Sequence, residues 1–387
     1  MFYFHNYCIY VAGLIMKMRL LVLLVLGVSV SSCGDSGGGA SRVDTIAAMQ
    51  ALGKNIFFDT NLSSNSNQSC ASCHDPLVGF ADPRVSSAAP VSEGSEAGAF
   101  GDRNAPTAAY AFFSPFFTNT TTHTTPDGTV SNYQGGQFLD GRRINLREQA
   151  KDPFLNPVEM NNADSATVVT KVSNSSYADD FIAMFGSGAF DDTDIAYNNI
   201  ARAIAAFEAS AEVNKFSSKF DDVQNGTATF NDSELRGFNL FKGTKAKCAN
   251  CHTVPDTGTI LFTNHRFYNV GTPSNGFNPA VVANSSFIDN GLGGTTDVVV
   301  PGDEAAEVGK FRIPTLRNIA LTAPYMHNGV FQTLEDVIRH YDLKMQFATA
   351  EVNSNIANEV AFDDSSLGLS PEEITDLVSF METLTDQ

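Results

Sequence analysis

Ile374, Leu377, Val378, Met381 and Leu384 recur at three- and four-residue intervals, and Ser370-Pro371-Glu372-Glu373 stands just before them. That is one apolar stripe behind a capping box with proline at the first helical position, so the pattern predicts a helix closing the chain. Leu235-Arg236-Gly237-Phe238-Asn239-Leu240-Phe241 reads as a second amphipathic helix, with Asn231 as cap and Glu234 three residues on. Leu52-Gly53-Lys54-Asn55-Ile56-Phe57-Phe58 repeats its design, and a further helical run covers Ile195 to Ala211. Val337, Ile338 and Tyr341 share a face, with Glu335, Asp336 and Arg339 left to water. Long stretches rich in Gly, Asn, Thr and Pro, such as Thr118 to Gly136 and Pro273 to Gly294, predict irregular loops. The fold class expected is mainly α.

The amino-terminal pattern differs. Met16-Lys17-Met18-Arg19 precedes an apolar run from Leu20 to Val30, too short for a mature bilayer span, and Val30-Ser31-Ser32-Cys33 follows. This reads as a lipoprotein signal over 1–32, lipidated at Cys33, or as an ordinary secretory signal with an incidental cysteine. Either form is exported to the periplasmic side of a bacterial membrane, anchored by lipid only or free. The charged region starts at Lys17, so the first fifteen residues read as lying upstream of the true start. Residues 33–44 read as a flexible Gly/Ser tether.

Composition narrows the rest. The 387 residues suit two domains, and 43% apolar against 17% charged residues is globular. Net charge is −19, which argues against nucleic acid and favours cationic partners. There are 30 Phe and no Trp. Six cysteines occur; besides Cys8 and Cys33 they form Cys70-Ala71-Ser72-Cys73-His74 and Cys248-Ala249-Asn250-Cys251-His252. C-x-x-C-H is the c-type haem attachment signature: two thiols bond the porphyrin and the histidine ligates the iron. Zinc would need a further Cys or His pair, and a thioredoxin-like dithiol would follow a strand, which no pattern before Cys70 predicts. A terminal helix crossing an initial one over a haem then gives two c-type cytochrome domains, each around one covalent haem. Their ranges are 45–220 and 221–387, with the join near Val213 to Ala228.

Further motifs occur in order. They are Arg103-Asn104-Ala105-Pro106-Thr107, Asp140-Gly141-Arg142, Gln149-Ala150, Pro157-Val158-Glu159-Met160, Pro314-Thr315-Leu316-Arg317-Asn318, and Thr322-Ala323-Pro324-Tyr325-Met326-His327-Asn328-Gly329. With the two haem motifs, from about Leu52 to the C-terminus, the chain resembles the bacterial di-haem cytochrome c peroxidases and MauG. The resemblance implies that the haem on His74 meets hydrogen peroxide and that the haem on His252 receives electrons from a small cytochrome c or cupredoxin. It makes Glu159 the group that moves the peroxide proton and Gln149 the group that orients it. It also implies one calcium ion between the haems, held by Asn104 and the carbonyls of Thr322 and Pro324; the alternative is that Asn104 caps a turn before Pro106. A homodimer is allowed. Three departures matter. The loop Val85 to Asp102 has no His to cover the first haem, and Glu96 stands at the equivalent spacing. Tyr341 occupies the position of the second haem's Met ligand, as in MauG, with Met326, His340 and Met345 as the nearby alternatives. The Trp expected before Asp-Gly-Arg is Leu139. Three activities remain open: donor-driven peroxide reduction, peroxide-dependent oxidation of a partner protein, and electron transfer without catalysis. His123 and His265 are expected at the surface.

Overall fold

A computed structural model describes residues 42–119, 133–343, 351 and 366–387. His123 and Met345, like the leader and Cys33, lie outside the described residues. The helices are α1 Arg42–Phe58, α2 Cys70–Cys73, α3 Leu146–Gln149, α4 Asp152–Leu155, α5 Ser165–Ser173, α6 Ala178–Phe185, α7 Thr193–Glu208, α8 Lys219–Gln224, α9 Asp232–Lys242, α10 Pro279–Ala283, α11 Glu304–Glu307, α12 Leu334–Leu343 and α13 Pro371–Glu382. Two antiparallel ribbons accompany them: β1 Thr118–Asn119 with β2 Tyr133–Gln134, and β3 Phe267–Tyr268 with β4 Phe311–Arg312. The fold is mainly α, with long irregular connections. α1 begins at Arg42, inside the stretch read as a tether.

The same helix crossing occurs twice. Gly53 of α1 lies against α7, where an added Cβ would stand 1.8 Å from the Ala203 carbonyl oxygen. Gly237 of α9 lies against α13, where it would stand 1.9 Å from the Asp376 carbonyl oxygen. One turn beyond each carbonyl is a phenylalanine, Phe207 or Phe380, on which the glycine also packs. Only glycine permits this approach, and neither position needs an unusual backbone angle.

Around these crossings form two separate cores. One gathers Leu52, Ile56, Phe57, Ile200, Ile204 and Phe207, and its buried members end at Val213. The other starts at Phe220 and includes Phe241, Phe262, Ile374, Leu377, Phe380 and Leu384. The capping boxes at Asn231 and Ser370 form as read from the sequence. Leu235, however, points to solvent, because Gly237 and Phe241 set the buried face of α9. A small third core of Tyr133, Phe267, Leu292 and Val299 joins the ribbons.

Candidate active site

α2 holds the first motif. The backbone N–H of Ser69 donates to Ser72 Oγ at 3.0 Å, fixing its start. Cys70 and Cys73, three apart, share one side of the turn and both line a cavity of about 650 Å³. The His74 N–H continues the turn to the Cys70 carbonyl at 2.9 Å. His74 Nδ1 donates to the Phe80 carbonyl at 3.1 Å. A carbonyl only accepts, so the proton sits on Nδ1 and Nε2 keeps its lone pair for a metal. Burial holds this imidazole below its usual pKa, so it is neutral.

The second motif repeats the construction without a full helix, as a 3₁₀ turn at 248–250. His252 N–H donates to the Cys248 carbonyl, also at 2.9 Å, and His252 Nδ1 donates to the Phe262 carbonyl at 2.8 Å. Burial lowers its pKa to about 4. Phe80 and Phe262 both adopt left-handed backbone angles, φ 60° and 55°, which turn their carbonyls to the rings. The motif spacing carried no sign of these two carbonyls.

The four cysteines of the two motifs are unbridged and half-buried. Burial pushes Cys73 up to about 11 and Cys248 up to about 12. Raised values run against thiol–disulfide exchange, which favours lowered ones. Among the described residues no cluster of three His, Cys, Asp or Glu side chains could hold a metal. Paired half-buried thiols beside an oriented neutral histidine fit covalent haem at both motifs.

Gln149 and Glu159 line the first cavity together with His74. Asn145 accepts the N–H of Glu148 at 3.0 Å and starts α3, which ends at Gln149. Asn156 Nδ2 donates to Glu159 Oε1 at 2.8 Å, leaving Oε2 for other partners. Ser95 N–H donates to the Glu159 carbonyl at 2.6 Å, so the 85–102 loop holds the backbone beneath the carboxylate. Burial raises the Glu159 pKa, and the nearby Arg142 charge opposes that rise. Arg142 lies with its guanidinium 3.5 Å from the Phe138 ring centroid and donates to Asp140 at 2.8 Å. Glu208, at the end of α7, also borders the cavity; its buried Oε2 has no hydrogen-bond partner, and burial raises its pKa to about 8. Asn156 and Glu208 escaped the sequence reading: one acts three residues from its partner, the other is an ordinary helix residue until the cavity is seen.

Glu96 is exposed, accepts from Asn161 Nδ2 at 3.3 Å and does not line the cavity. Leu139 and Phe138 do line it, beside Arg312. His265, expected at the surface, is half-buried, with Nδ1 3.5 Å from Arg312 Nη1. Burial and the Arg312 charge depress its pKa to about 4.

At the second motif, Tyr341 projects from α12 toward Cys251 and Cys248, and burial raises its pKa. Its neighbour His340 instead donates from Nε2 to the Val270 carbonyl at 2.9 Å and faces Phe331. Met326 sits in a left-handed turn, φ 71°.

Asn104 is 8% exposed. Its N–H donates to the His327 carbonyl at 2.7 Å and its Nδ2 to the Pro90 carbonyl at 2.9 Å, leaving Oδ1 as the end open to a cation. Its side chain therefore reaches Pro90 rather than capping a turn before Pro106. Pro90, Gly329 and Pro324 pack together, so Asn104 and the Thr322–Pro324 segment are neighbours. Oxygens without a carboxylate cluster fit a hard cation that keeps several waters.

Residues 47–229 match the family model of di-haem cytochrome c peroxidase. The chain is 36% identical to the methylamine utilization protein MauG of Paracoccus denitrificans, over 96% of each. It is 31% identical to the cytochrome c551 peroxidase of Nitrosomonas europaea, over 88% of this chain and 91% of that one. The diheme peroxidase BthA of Burkholderia thailandensis superposes with a TM-score of 0.78 at 31% identity, over 87% of this chain and 86% of that one.

Proposed function

The chain belongs to the di-haem cytochrome c peroxidase family, and from that premise we propose that it reduces hydrogen peroxide to water with electrons from a small cytochrome c or cupredoxin. It is an oxidoreductase carrying two haem c groups. One observation carries the finer reading: Glu159 and Gln149 share a cavity with His74, and no histidine enters from the 85–102 loop.

A haem iron held by His74 would supply a site for peroxide and the electrons that split its O–O bond. The chain supplies the proton handling. Glu159 Oε2 takes a proton from one peroxide oxygen and returns it to the other, which leaves as water. Asn156 holds Oε1 still meanwhile, and Gln149 orients the peroxide. The raised Glu159 pKa brings the carboxyl closer to neutrality, where one group serves best as both base and acid. Asn104, Thr322 and Pro324 are assigned to one calcium ion. The leader and Cys33 support export with a lipid anchor.

Peroxide consumption by the fully oxidised protein, with cytochrome and cupredoxin donors in turn, tests the reading. Turnover without prior reduction is expected. Turnover that appears only after one-electron reduction, or none with any donor, overturns it. A second reading, peroxide-dependent oxidation of a partner protein, draws on Tyr341 facing Cys248 and Cys251. A Tyr341 phenolate on the second iron would stabilise its oxidised state and make it a poor acceptor from ordinary donors. Electron transfer without catalysis is disfavoured by the presence of Glu159 and Gln149.

A further inference from the structure

Leu139 leaves no aromatic ring at the position before Asp140, and the chain has no Trp. The backs of the two proximal histidines are nevertheless joined by another route. The Phe80 carbonyl accepts both His74 Nδ1 and the Ala108 N–H, the latter at 3.0 Å. Two residues on stands Tyr110, 2% exposed. Its ring meets Phe216 edge-on at 4.8 Å between centroids. The Arg317 guanidinium lies 4.9 Å from the Phe216 ring, 5.6 Å from Tyr110 and 5.9 Å from Phe262. The carbonyl of Phe262 holds His252 Nδ1.

Tyr110 is the easily oxidised ring on this route, and it has a proton acceptor. Its hydroxyl donates to Asp386 Oδ2 at 2.7 Å. Asp386 is itself fixed: Ser217 N–H donates to Oδ1 at 3.0 Å, and Asn318 Nδ2 donates to Oδ2 at 3.0 Å. The Arg317 charge disfavours a cationic ring, so loss of an electron from Tyr110 must carry the proton with it. Phe216 N–H donates to the Tyr110 oxygen at 3.0 Å, a bond that the deprotonated oxygen accepts equally well.

We infer that Tyr110 is a redox station between the two haem sites, with Asp386 as its proton acceptor. This rests on the peroxide reading above, because peroxide is the oxidant. After peroxide has taken electrons at the first site, Tyr110 gives one electron toward His74 and its phenolic proton to Asp386 Oδ2. A neutral tyrosyl radical and a neutral Asp386 result. One electron from the His252 side, crossing Phe262, Arg317 and Phe216, then reduces the radical, and the proton returns from Asp386.

Freeze-quenched electron paramagnetic resonance of the peroxide-treated holoprotein tests this, with haem absorbance followed in parallel. The wild type should give a tyrosyl signal that narrows when ring-deuterated tyrosine is incorporated. Tyr110→Phe keeps the ring and should lose the signal while retaining both haems. Asp386→Asn keeps an oxygen acceptor but not a base. It should slow radical formation by about a hundredfold, the low end of what a positioned proton acceptor contributes. A clasp that only ties the C-terminus down predicts the same signal in both variants. A haem response without a tyrosyl signal, or an unchanged signal in either variant, overturns the inference while leaving the peroxide reading intact. No haem response at all overturns the peroxide reading, and with it this step.

Discussion

Glu159 has one carboxylate oxygen held by Asn156 and the other free in the cavity, an arrangement that serves proton transfer better than structural support. Glu159→Gln keeps the size and the Asn156 contact but cannot accept a proton. Stopped-flow mixing with peroxide should show the haem response slowed by roughly 10²–10⁴-fold, with haem content unchanged. The pH profile carries the sign. The group must be ionised to take the first proton, so the wild-type rate should rise with pH through a pKa above the ordinary carboxylate value. The variant's profile should lose that limb. Gln149→Leu should do less harm, because an orienting amide moves no proton. Equal peroxide kinetics in wild type and Glu159→Gln would demote the carboxylate to a packing role.

Two elements carry the haem sites, and each depends on a helix crossing. At Gly237 a methyl group would have to displace the backbone of α13 at Asp376, which cannot retreat because Arg236 grips the Asp376 side chain through two bonds of 2.8 Å. Gly237→Ala should therefore destabilise the holoprotein by about 1–3 kcal/mol, the usual cost of overpacking, and calorimetry should show a lowered melting temperature. α12 carries Tyr341, the residue proposed to ligate the second haem. Its wet face is pinned by Arg339 donating to Glu335 at 2.6 Å, while Ile338 is buried and Tyr341 turns to the cysteines. If Tyr341 ligates the second haem as a phenolate, Tyr341→Phe should change the low-spin absorption and raise that haem's potential, since it would remove an anionic ligand. A near-infrared sulfur-to-iron band in the wild type would instead identify a methionine.

At the scale of the whole molecule, the two cores are fastened by a buried charge network. Arg317 pairs with Asp221 at 2.6 Å, donates to the Ile260 carbonyl and touches rings from both cores. Asp386, next to last in the chain, binds Tyr110 of the first core. Haem loading should still be independent at each motif, because each histidine is oriented by its own phenylalanine carbonyl. Replacing Cys70 and Cys73 by Ala should leave one haem per chain by pyridine haemochrome assay, and so should replacing Cys248 and Cys251. One haem in the wild type would overturn the two-site reading. Among the described residues no helix is long and apolar enough to cross a membrane.

The sequence by itself determined whatever is written in local spacing. Both haem motifs, the caps at Asn231 and Ser370, the apolar stripe of α13 and the mainly helical class follow from contacts within a turn or two. Those are set by residue type and period alone. The order of the short motifs likewise marked Glu159, Gln149 and Asn104. Tertiary structure decided what depends on residues far apart in the chain. The Phe80 and Phe262 carbonyls fix the histidine tautomers through left-handed turns that those sequence positions do not announce. Leu235 faces water and Gly237 the core because α13 approaches on that side. Glu208 is buried where the end of α7 borders the first cavity, and His265 is half-buried where Arg312 arrives from β4. Tyr110 and Asp386 are 276 residues apart in the chain, and only the closing of one core on the other makes them donor and acceptor.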